Sequence, residues 1–270
     1  MTREEKLERF RALHARSGAF IIPNPWDAGS ARVLAGLGFP ALATSSGASA
    51  WTRGKLDGAV TRDEALAHCR AIVEAVDLPV SADLEKCFAD EPRAAAETIR
   101  LAAGVGLAGG SIEDATGDKA KPLFDFDHAV ERVSAAAEMA RKHNLVLTAR
   151  TENYLRGRAD LDDTIRRLQA FEKAGADVLM APGLPDLASV RAVCQAVSKP
   201  VNFMVGLKGK SFSVAELEAA GVRRISLATS LYREALSSLV AAAREVKEKG
   251  SFDYVARSLP SAELAGFMKH

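Results

Sequence analysis

The chain has 270 residues, of which 48% are hydrophobic and 26% charged, enough material for one barrel-sized domain or two ordinary ones. Its 36 Lys and Arg residues nearly balance 35 Asp and Glu residues, so the basic excess typical of nucleic-acid binders is absent. The sequence has no apolar run as long as a membrane span, and its three widely spaced cysteines form no CxxC pair. We therefore expect a cytoplasmic protein whose partners include neither nucleic acid nor membrane.

Short apolar runs alternate with longer segments of helical periodicity, beginning after a charged amphipathic helix at the N-terminus. The predicted strands cover residues 19–22, 41–44, 79–83, 109–113, 145–150, 176–180, 200–204 and 223–228. Strands that are apolar on both faces and alternate with helices are typical of a parallel sheet. Eight such units predict an α/β fold, a (β/α)8 TIM-type barrel that forms one domain over residues 1–248. An open doubly wound sheet is the alternative.

Two helix starts carry recognisable capping signals. Thr61 and Glu64 match a capping box, and Asp162 or Asp163 is expected to cap the helix that runs to Ala174.

Residues 249–270 depart from the repeating pattern and predict one or two extra helices as a C-terminal tail. Their apolar residues are Phe252, Tyr254, Leu264, Phe267 and Met268. Such a tail either packs on its own barrel or is exchanged between the subunits of a homo-oligomer.

Acidic residues collect at the carboxyl ends of the predicted strands, where barrels of this class place their active sites. Asp83 and Glu85 follow the third strand, Glu113 and Asp114 the fourth, and Glu152 the fifth. Carboxylates crowded into a site of low dielectric repel one another, so they predict raised pKa values or a bound cation. An all-oxygen set suits Mg²⁺ or Mn²⁺. Taken singly, each acid is equally well explained as a solvated loop residue or a helix cap.

Other strand ends carry polar groups suited to an anionic substrate. Arg150 ends the fifth strand, and its guanidinium either binds a carboxylate or forms a structural ion pair with Glu152 or Glu113. The turn Ser45-Ser46-Gly47 offers hydroxyls and amides to an anionic oxygen, and Asn202 lies within the seventh strand.

Four motifs together resemble the isocitrate lyase/phosphoenolpyruvate mutase superfamily. They are TSSGAS at 44–49, Asp83-Leu84-Glu85, IED at 112–114 and AR-x-E at 149–152. Their order and spacing agree with the superfamily over roughly residues 18–240. The resemblance implies an enzyme that forms or consumes a pyruvate-type enolate stabilised by a divalent metal ion.

The resemblance also implies roles for individual residues. Asp83, Glu85 and Glu113 would hold Mg²⁺ or Mn²⁺, partly through water, and Asp57 in the loop GKLDGA would match the acid that approaches the metal. The expected catalytic residues are Asp57, Glu113 and Arg150, and the expected substrate-binding residues are Ser45, Ser46, Gly47, Ala48, Arg150, Glu152 and Asn202.

One loop departs from the best-known members of the superfamily. Isocitrate and methylisocitrate lyases carry K-[KR]-C-G-H soon after the IED, whereas this chain reads EDATGDKAKPLFDFD, with neither Cys nor His. The K-T-N pattern of the phosphonate-forming mutases is also missing. Cys87 follows the third strand rather than the fourth, so we predict that it is not the lyase acid. The superfamily's oxaloacetate decarboxylases and less defined lyases are nearer analogues.

The leading hypothesis is a Mg²⁺-dependent lyase that cleaves a C–C bond of a small 2-oxo or 2-hydroxy diacid, with decarboxylation as one case. The alternatives are a phosphonomutase or a phosphonate or phosphoenolpyruvate hydrolase, and a non-catalytic barrel that binds a 2-oxo acid. The complete set of Asp57, Asp83, Glu85, Glu113 and Arg150 favours an enzyme. The resemblance further implies a homo-oligomer, a dimer of dimers held partly by the tail.

Overall fold

A computed structural model describes residues 1–269, and its sheet is a nearly closed ring of eight parallel strands. The strands are β1 (Phe20–Ile22), β2 (Leu42–Ala43), β3 (Val80–Ala82), β4 (Gly109–Glu113), β5 (Val146–Arg150), β6 (Val178–Met180), β7 (Val201–Met204) and β8 (Arg224–Ser226). From β2 to β8 each strand pairs with the next one in sequence, and β1 pairs with β8, so the ring is open between β1 and β2. Between β1 and β2, the Ala43 amide donates to the Pro23 carbonyl at 3.0 Å. The TIM-type barrel is confirmed with all eight strand positions, and the open-sheet alternative is wrong.

Helices surround this ring. They are α1 (Arg3–Ala15), α2 (Ala28–Gly36), α3 (Ser46–Thr52), α4 (Arg62–Ala75), α5 (Pro92–Gly104), α6 (Phe126–Lys142), α7 (Leu161–Lys173), α8 (Leu187–Ala196), α9 (Val214–Ala219), α10 (Ser230–Lys249) and α11 (Ser261–Phe267), with a 3₁₀ helix at Asp253–Arg257. Within residues 1–269, none of them combines the length and apolar character that a membrane span requires.

The capping predictions had different outcomes. Thr61 caps α4 in a capping box with Glu64, as expected. The expected cap of α7 at Asp162 or Asp163 is wrong, because the Asp160 side chain accepts the Asp163 amide at 2.9 Å. Asp162 and Asp163 instead lie in the first turn of α7, where their negative charges interact favourably with the positive end of the helix dipole.

Helix α1 closes the amino end of the barrel with its apolar face. Leu7, Phe10 and Leu13 are buried there. The ring of Phe10 reaches so close to β4 that a Cβ at Gly109 would lie 2.7 Å from its Cε1 and 2.9 Å from the Ser81 Oγ. Gly109 is therefore required by the approach of the helix and not by an unusual backbone angle.

The C-terminal segment contacts the barrel of its own chain through α11. A Cβ at Gly36 of α2 would lie 2.6 Å from the Phe267 ring, and the Arg32 Nη1 donates to the Met268 carbonyl at 2.5 Å. Helix α10 is different, because none of its 20 residues is buried.

We predict that Gly109→Ala lowers the free energy of unfolding by about 1–3 kcal/mol, because the added methyl group overpacks the contact with Phe10 and Ser81. Chemical denaturation followed by circular dichroism measures this change. Gly104→Ala in α5 is the matched control, since a Cβ there meets no atom within 4 Å. Equal stability of the two variants would contradict the proposed contact.

Candidate active site

The carboxyl ends of β2 to β5 bring most of the predicted site residues together at the barrel mouth. Arg150 is the centre of this group. Its Nη1 lies 3.3 Å from Asp83 Oδ1, and its Nη2 lies 3.5 Å from Glu113 Oε2 and 2.7 Å from Glu152 Oε1. One buried guanidinium thus links the ends of three neighbouring strands and forms the ion pairs with Glu113 and Glu152 that the sequence allowed. Binding of a substrate carboxylate by Arg150 stays a prediction.

Asp83 is held from several sides. Its carboxylate accepts the Ser46 amide at 3.2 Å, the Glu85 amide at 3.2 Å and the Ser111 hydroxyl at 3.5 Å. Its own amide donates to the Thr44 Oγ1 at 3.1 Å. The carboxylate is therefore fixed in place by β2, β4 and its own loop before any ligand binds.

Three neighbouring carboxyl groups have raised pKa values. Burial is the largest cause for Asp57, Glu85 and Glu113, and the negative charge of Asp83 adds to it in each case. The pKa of Glu85 rises to about 7, and that of Glu113 rises well above its ordinary value although Arg150 opposes the shift. Burial and the repulsion from Asp83 thus both oppose ionisation of these carboxyl groups, and a bound cation would favour their ionised forms.

This donor set fits a hydrated divalent cation. In residues 1–269, no three His, Cys, Asp or Glu side chains converge closely enough to enclose a bare ion. Mg²⁺ usually keeps several waters and takes only one or two carboxylates directly, so such convergence is not required. Asp83, Glu85 and Glu113 could hold the ion partly through water.

The remaining predicted residues lie at different depths. Ser45 is the N-cap residue of α3. The loop that carries Asp57 lies against the first turn of this helix, since a Cβ at Gly47 would lie 3.3 Å from Asp57 Oδ2. Ala48 follows in the same buried turn. Glu152 is buried behind Arg150, and Asn202 lies deeper in the barrel, where its side chain donates to Ser226 at 3.0 Å. Their roles in substrate binding remain predictions.

Asp114 does not belong to the mouth cluster, although its position in the sequence suggested a rim carboxylate. Its Oδ1 accepts the Glu152 amide at 2.8 Å, while its Oδ2 accepts the Thr151 hydroxyl at 2.9 Å and the Arg167 Nη1 at 3.2 Å. It therefore fixes the end of β5 against α7.

Cys87 is completely buried, and its thiol lies 3.5 Å from the Ser111 carbonyl as a donor. Burial raises the pKa of this thiol to about 12. Such a group transfers a proton poorly at neutral pH, which supports the prediction that Cys87 is not a general acid.

Two arginines near the site were not predicted from the sequence. Arg156 lies 3.6 Å from Glu113 and 3.5 Å from Glu152. The spacing of four residues between Glu152 and Arg156 could have predicted the second of these ion pairs. Arg132 lies within α6, and nothing in the helical pattern distinguishes it from a surface arginine.

Arg132 is a buried clamp on the loop that carries Glu85. It donates to the carbonyls of Lys86, Ala89 (2.8 Å), Asp90 (3.0 Å) and Glu113 (3.0 Å). The loop needs this support, because the non-glycine residues Glu85, Cys87 and Phe88 adopt φ values of 52°, 60° and 56°. Side chains other than Asn and Asp rarely adopt such angles unless the surrounding structure holds them there.

We predict that Arg132→Met speeds amide hydrogen exchange in residues 84–90 by about tenfold or more, because each lost charge-assisted hydrogen bond contributes about 1.5–3 kcal/mol. Hydrogen–deuterium exchange with mass spectrometry measures the change. The control is Arg100→Met, which removes an exposed arginine that pairs with Glu97. Unchanged exchange in the loop of the Arg132 variant would show that this side chain is not the clamp.

Comparisons with known proteins agree with this geometry. The family model described as phosphoenolpyruvate phosphomutase matches residues 10–247. The chain belongs to the phosphoenolpyruvate mutase/isocitrate lyase superfamily. The crystal structure of a lyase/mutase from Burkholderia cenocepacia J2315 superposes with a TM-score of 0.97 at 50% identity, covering 99% of this chain and 97% of that one.

Two relatives have named activities. The 2-methylisocitrate lyase of Escherichia coli K12 is 28% identical over 83% of this chain and 78% of its own length. The oxaloacetate decarboxylase of Pseudomonas paraeruginosa PA7 is 28% identical over 95% of this chain and 88% of its own length. Both relatives are lyases that act on carbon–carbon bonds.

Proposed function

We propose that this protein is a divalent-metal-dependent lyase that cleaves a carbon–carbon bond of a small 2-oxo or 2-hydroxy diacid through a pyruvate-type enolate. The observation that carries the proposal is the cluster at the mouth, where Arg150 contacts Asp83, Glu113 and Glu152 at the ends of consecutive strands. It combines a fixed donor for a carboxylate with an excess of oxygen ligands for a cation. The family assignment supports the same chemistry.

The residues divide into three roles in this proposal. Asp83, Glu85 and Glu113 would hold Mg²⁺ or Mn²⁺, which when bound supplies Lewis-acid stabilisation of developing negative charge. Arg150 would orient the substrate by donating to a carboxylate, while Glu152 holds its guanidinium in place.

Asp57 would cover the site on the side of α3, because its loop lies against Gly47 in the first turn of that helix. In a 2-oxo diacid that loses carbon dioxide, the electron pair of the broken carbon–carbon bond passes into the pyruvate enolate, which then takes up a proton at carbon from a protonated carboxyl group of the mouth. In a 2-hydroxy diacid, the hydroxyl first gives its proton to a carboxylate of the mouth and becomes the carbonyl of the 2-oxo product. The electron pair of the broken bond then leaves with the other fragment as its enolate, which takes that proton up at carbon. Burial of Glu113 and Arg150 would limit access of water to that enolate.

A second candidate is a phosphonomutase or a hydrolase of a phosphonate or phosphoenolpyruvate, which the name of the matching family model favours. A barrel that binds a 2-oxo acid without turning it over is the third. An activity screen with Mg²⁺ against oxaloacetate, 2,3-dimethylmalate, methylisocitrate and phosphonopyruvate separates the three. Pyruvate from a carbon substrate supports the lyase, turnover of phosphonopyruvate alone supports the second candidate, and binding without turnover supports the third.

We predict that Asp83→Ala abolishes Mg²⁺ binding and activity with an intact fold, because the residue lies at a strand end rather than in the core. Isothermal titration calorimetry measures the metal affinity. Cys87→Ser is the control and should keep activity within about tenfold of the parent. Unchanged Mg²⁺ affinity in the Asp83 variant would disprove the metal assignment.

We also propose a homo-oligomer, with a dimer of dimers expected. Helix α10 has no buried residue, and both this helix and the tail expose large apolar side chains. We call these side chains the α10–tail surface: Leu239, Val240, Val246, Phe252, Val255, Leu259 and Leu264. Monomers rarely leave large apolar patches in water, and a helix with no buried residue followed by a tail with exposed apolar side chains therefore favours a covered surface. A second copy of the chain would cover it, with α10 contributing as well as the tail.

We expect Leu239→Glu to dissociate this assembly, because a charge would then be buried in the proposed contact. Light scattering at micromolar concentration measures the mass. Ser134→Glu places the same charge on an exposed position of α6 and should leave the oligomer intact. A parent chain with a mass of 28.7 kDa in solution would refute the proposal.

A further inference from the structure

The floor of the pocket below the mouth is formed by an arginine. Arg224 on β8 is 5% exposed, and its side chain crosses the inside of the barrel. Its Nε donates to Asn202 Oδ1 at 2.8 Å, and its Nη2 donates to Thr148 Oγ1 at 2.9 Å. The pocket that Arg224 lines also includes Asp83 and Arg150, so floor and mouth belong to one continuous space.

The positive charge of Arg224 has no negative partner in the part of the chain that the structure describes. Its remaining neighbour is His14 of α1, whose Nε2 lies 3.4 Å from the Arg224 Nη1. Burial, together with the charge of Arg224, lowers the pKa of His14 to about 3, so that the imidazole is neutral at physiological pH. Across residues 1–269, no carboxylate lies within 4.0 Å of the guanidinium.

Neutral acceptors satisfy some hydrogen bonds of this guanidinium but leave its charge uncompensated. Burial lowers the pKa of Arg224 to about 9, and the group therefore still carries its proton at neutral pH. A buried cation without a counter-charge is costly in free energy. An anion that enters the pocket would provide the missing charge.

The depth of the pocket suits a diacid. Ser81 of β3 precedes Asp83 by two residues, Thr148 of β5 precedes Arg150 by two residues, and all four line the pocket. Alternate residues of a strand face the same side and lie about 7 Å apart. The terminal carbons of an extended four-carbon diacid are about 4 Å apart. A diacid bound at the mouth by one end can thus direct its other end toward Arg224.

We propose that Arg224 binds the second carboxylate of a diacid substrate in the pocket below the mouth. The inference rests on the proposed lyase function and narrows its substrate class. Decarboxylation of the group on Arg224 would disperse the negative charge that the guanidinium stabilises, which raises the barrier to that reaction. The carboxylate on Arg224 is therefore retained in a product, and the bond that breaks lies elsewhere in the substrate.

Two probes that differ at one end test this inference in the presence of Mg²⁺. They are 3,3-difluorooxaloacetate and 3,3-difluoro-4-methyl-2-oxopentanoate, which carries two methyl groups where the diacid has two carboxylate oxygens. Calorimetry gives the Kd of each probe for the parent, for Arg224→Gln and for the control Arg223→Gln. We expect Arg224→Gln to lose about 30-fold or more of the preference for the diacid, while the Kd of the monoacid stays within about threefold.

The outcomes separate the inference from the proposed function. An unchanged preference in Arg224→Gln overturns the inference, and so does an equal loss of affinity for both probes. Failure of the parent to bind either probe in a Mg²⁺-dependent manner overturns the proposed function itself. A crystal structure of the parent with 3,3-difluorooxaloacetate tests the same contact if the variant does not fold. A carboxylate within hydrogen-bond distance of Arg224 supports the inference, and a ligand that lies wholly above Thr148 refutes it.

Discussion

The mouth of this barrel depends on the interaction between one guanidinium and the carboxylates that surround it. Arg150 contacts acids from β3, β4 and its own strand, and without it Asp83, Glu113 and Glu152 would repel one another in a buried space. Five carboxyl groups, those of Asp57, Asp83, Glu85, Glu113 and Glu152, share the mouth with Arg150 and Arg156, so the two arginines offset only part of their charge when all five are ionised. An excess of carboxylates beside a fixed guanidinium suits both a divalent cation and an anionic substrate.

The barrel positions these groups through features that lie outside the site. Asp83 is fixed by Thr44 and Ser46 from the end of β2 and by Ser111 from β4, and Arg132 supports the loop with three left-handed residues. These contacts restrict the side chains that would hold a metal ion. A preorganised set of this kind binds an ion or a transition state with little further loss of conformational freedom.

The sequence predicted the ring of strands because the period of apolar runs and glycine-terminated helices depends on local structure. The strand-end acids Asp83 and Glu113 could be found in the same way, since the fold directs the ends of all strands to one face. Which acids face inward could not be predicted: Asp114 follows Glu113 directly, yet it binds Arg167 on α7. The partners of Arg132 and Arg224 could not be predicted either, because their contacts join residues far apart in the chain and have no periodic signature.

The central claim is that the carboxylate cluster holds a divalent cation next to a substrate carboxylate. Crystals grown with Mn²⁺ and oxalate, a stable mimic of the pyruvate enolate, test it most directly through the anomalous scattering of manganese. We predict one Mn²⁺ peak within coordination distance of Asp83, with Glu85 and Glu113 in its water shell and oxalate bound to both the ion and Arg150. Oxalate on Arg150 with no Mn²⁺ at Asp83, or Mn²⁺ bound at another place, would contradict the account.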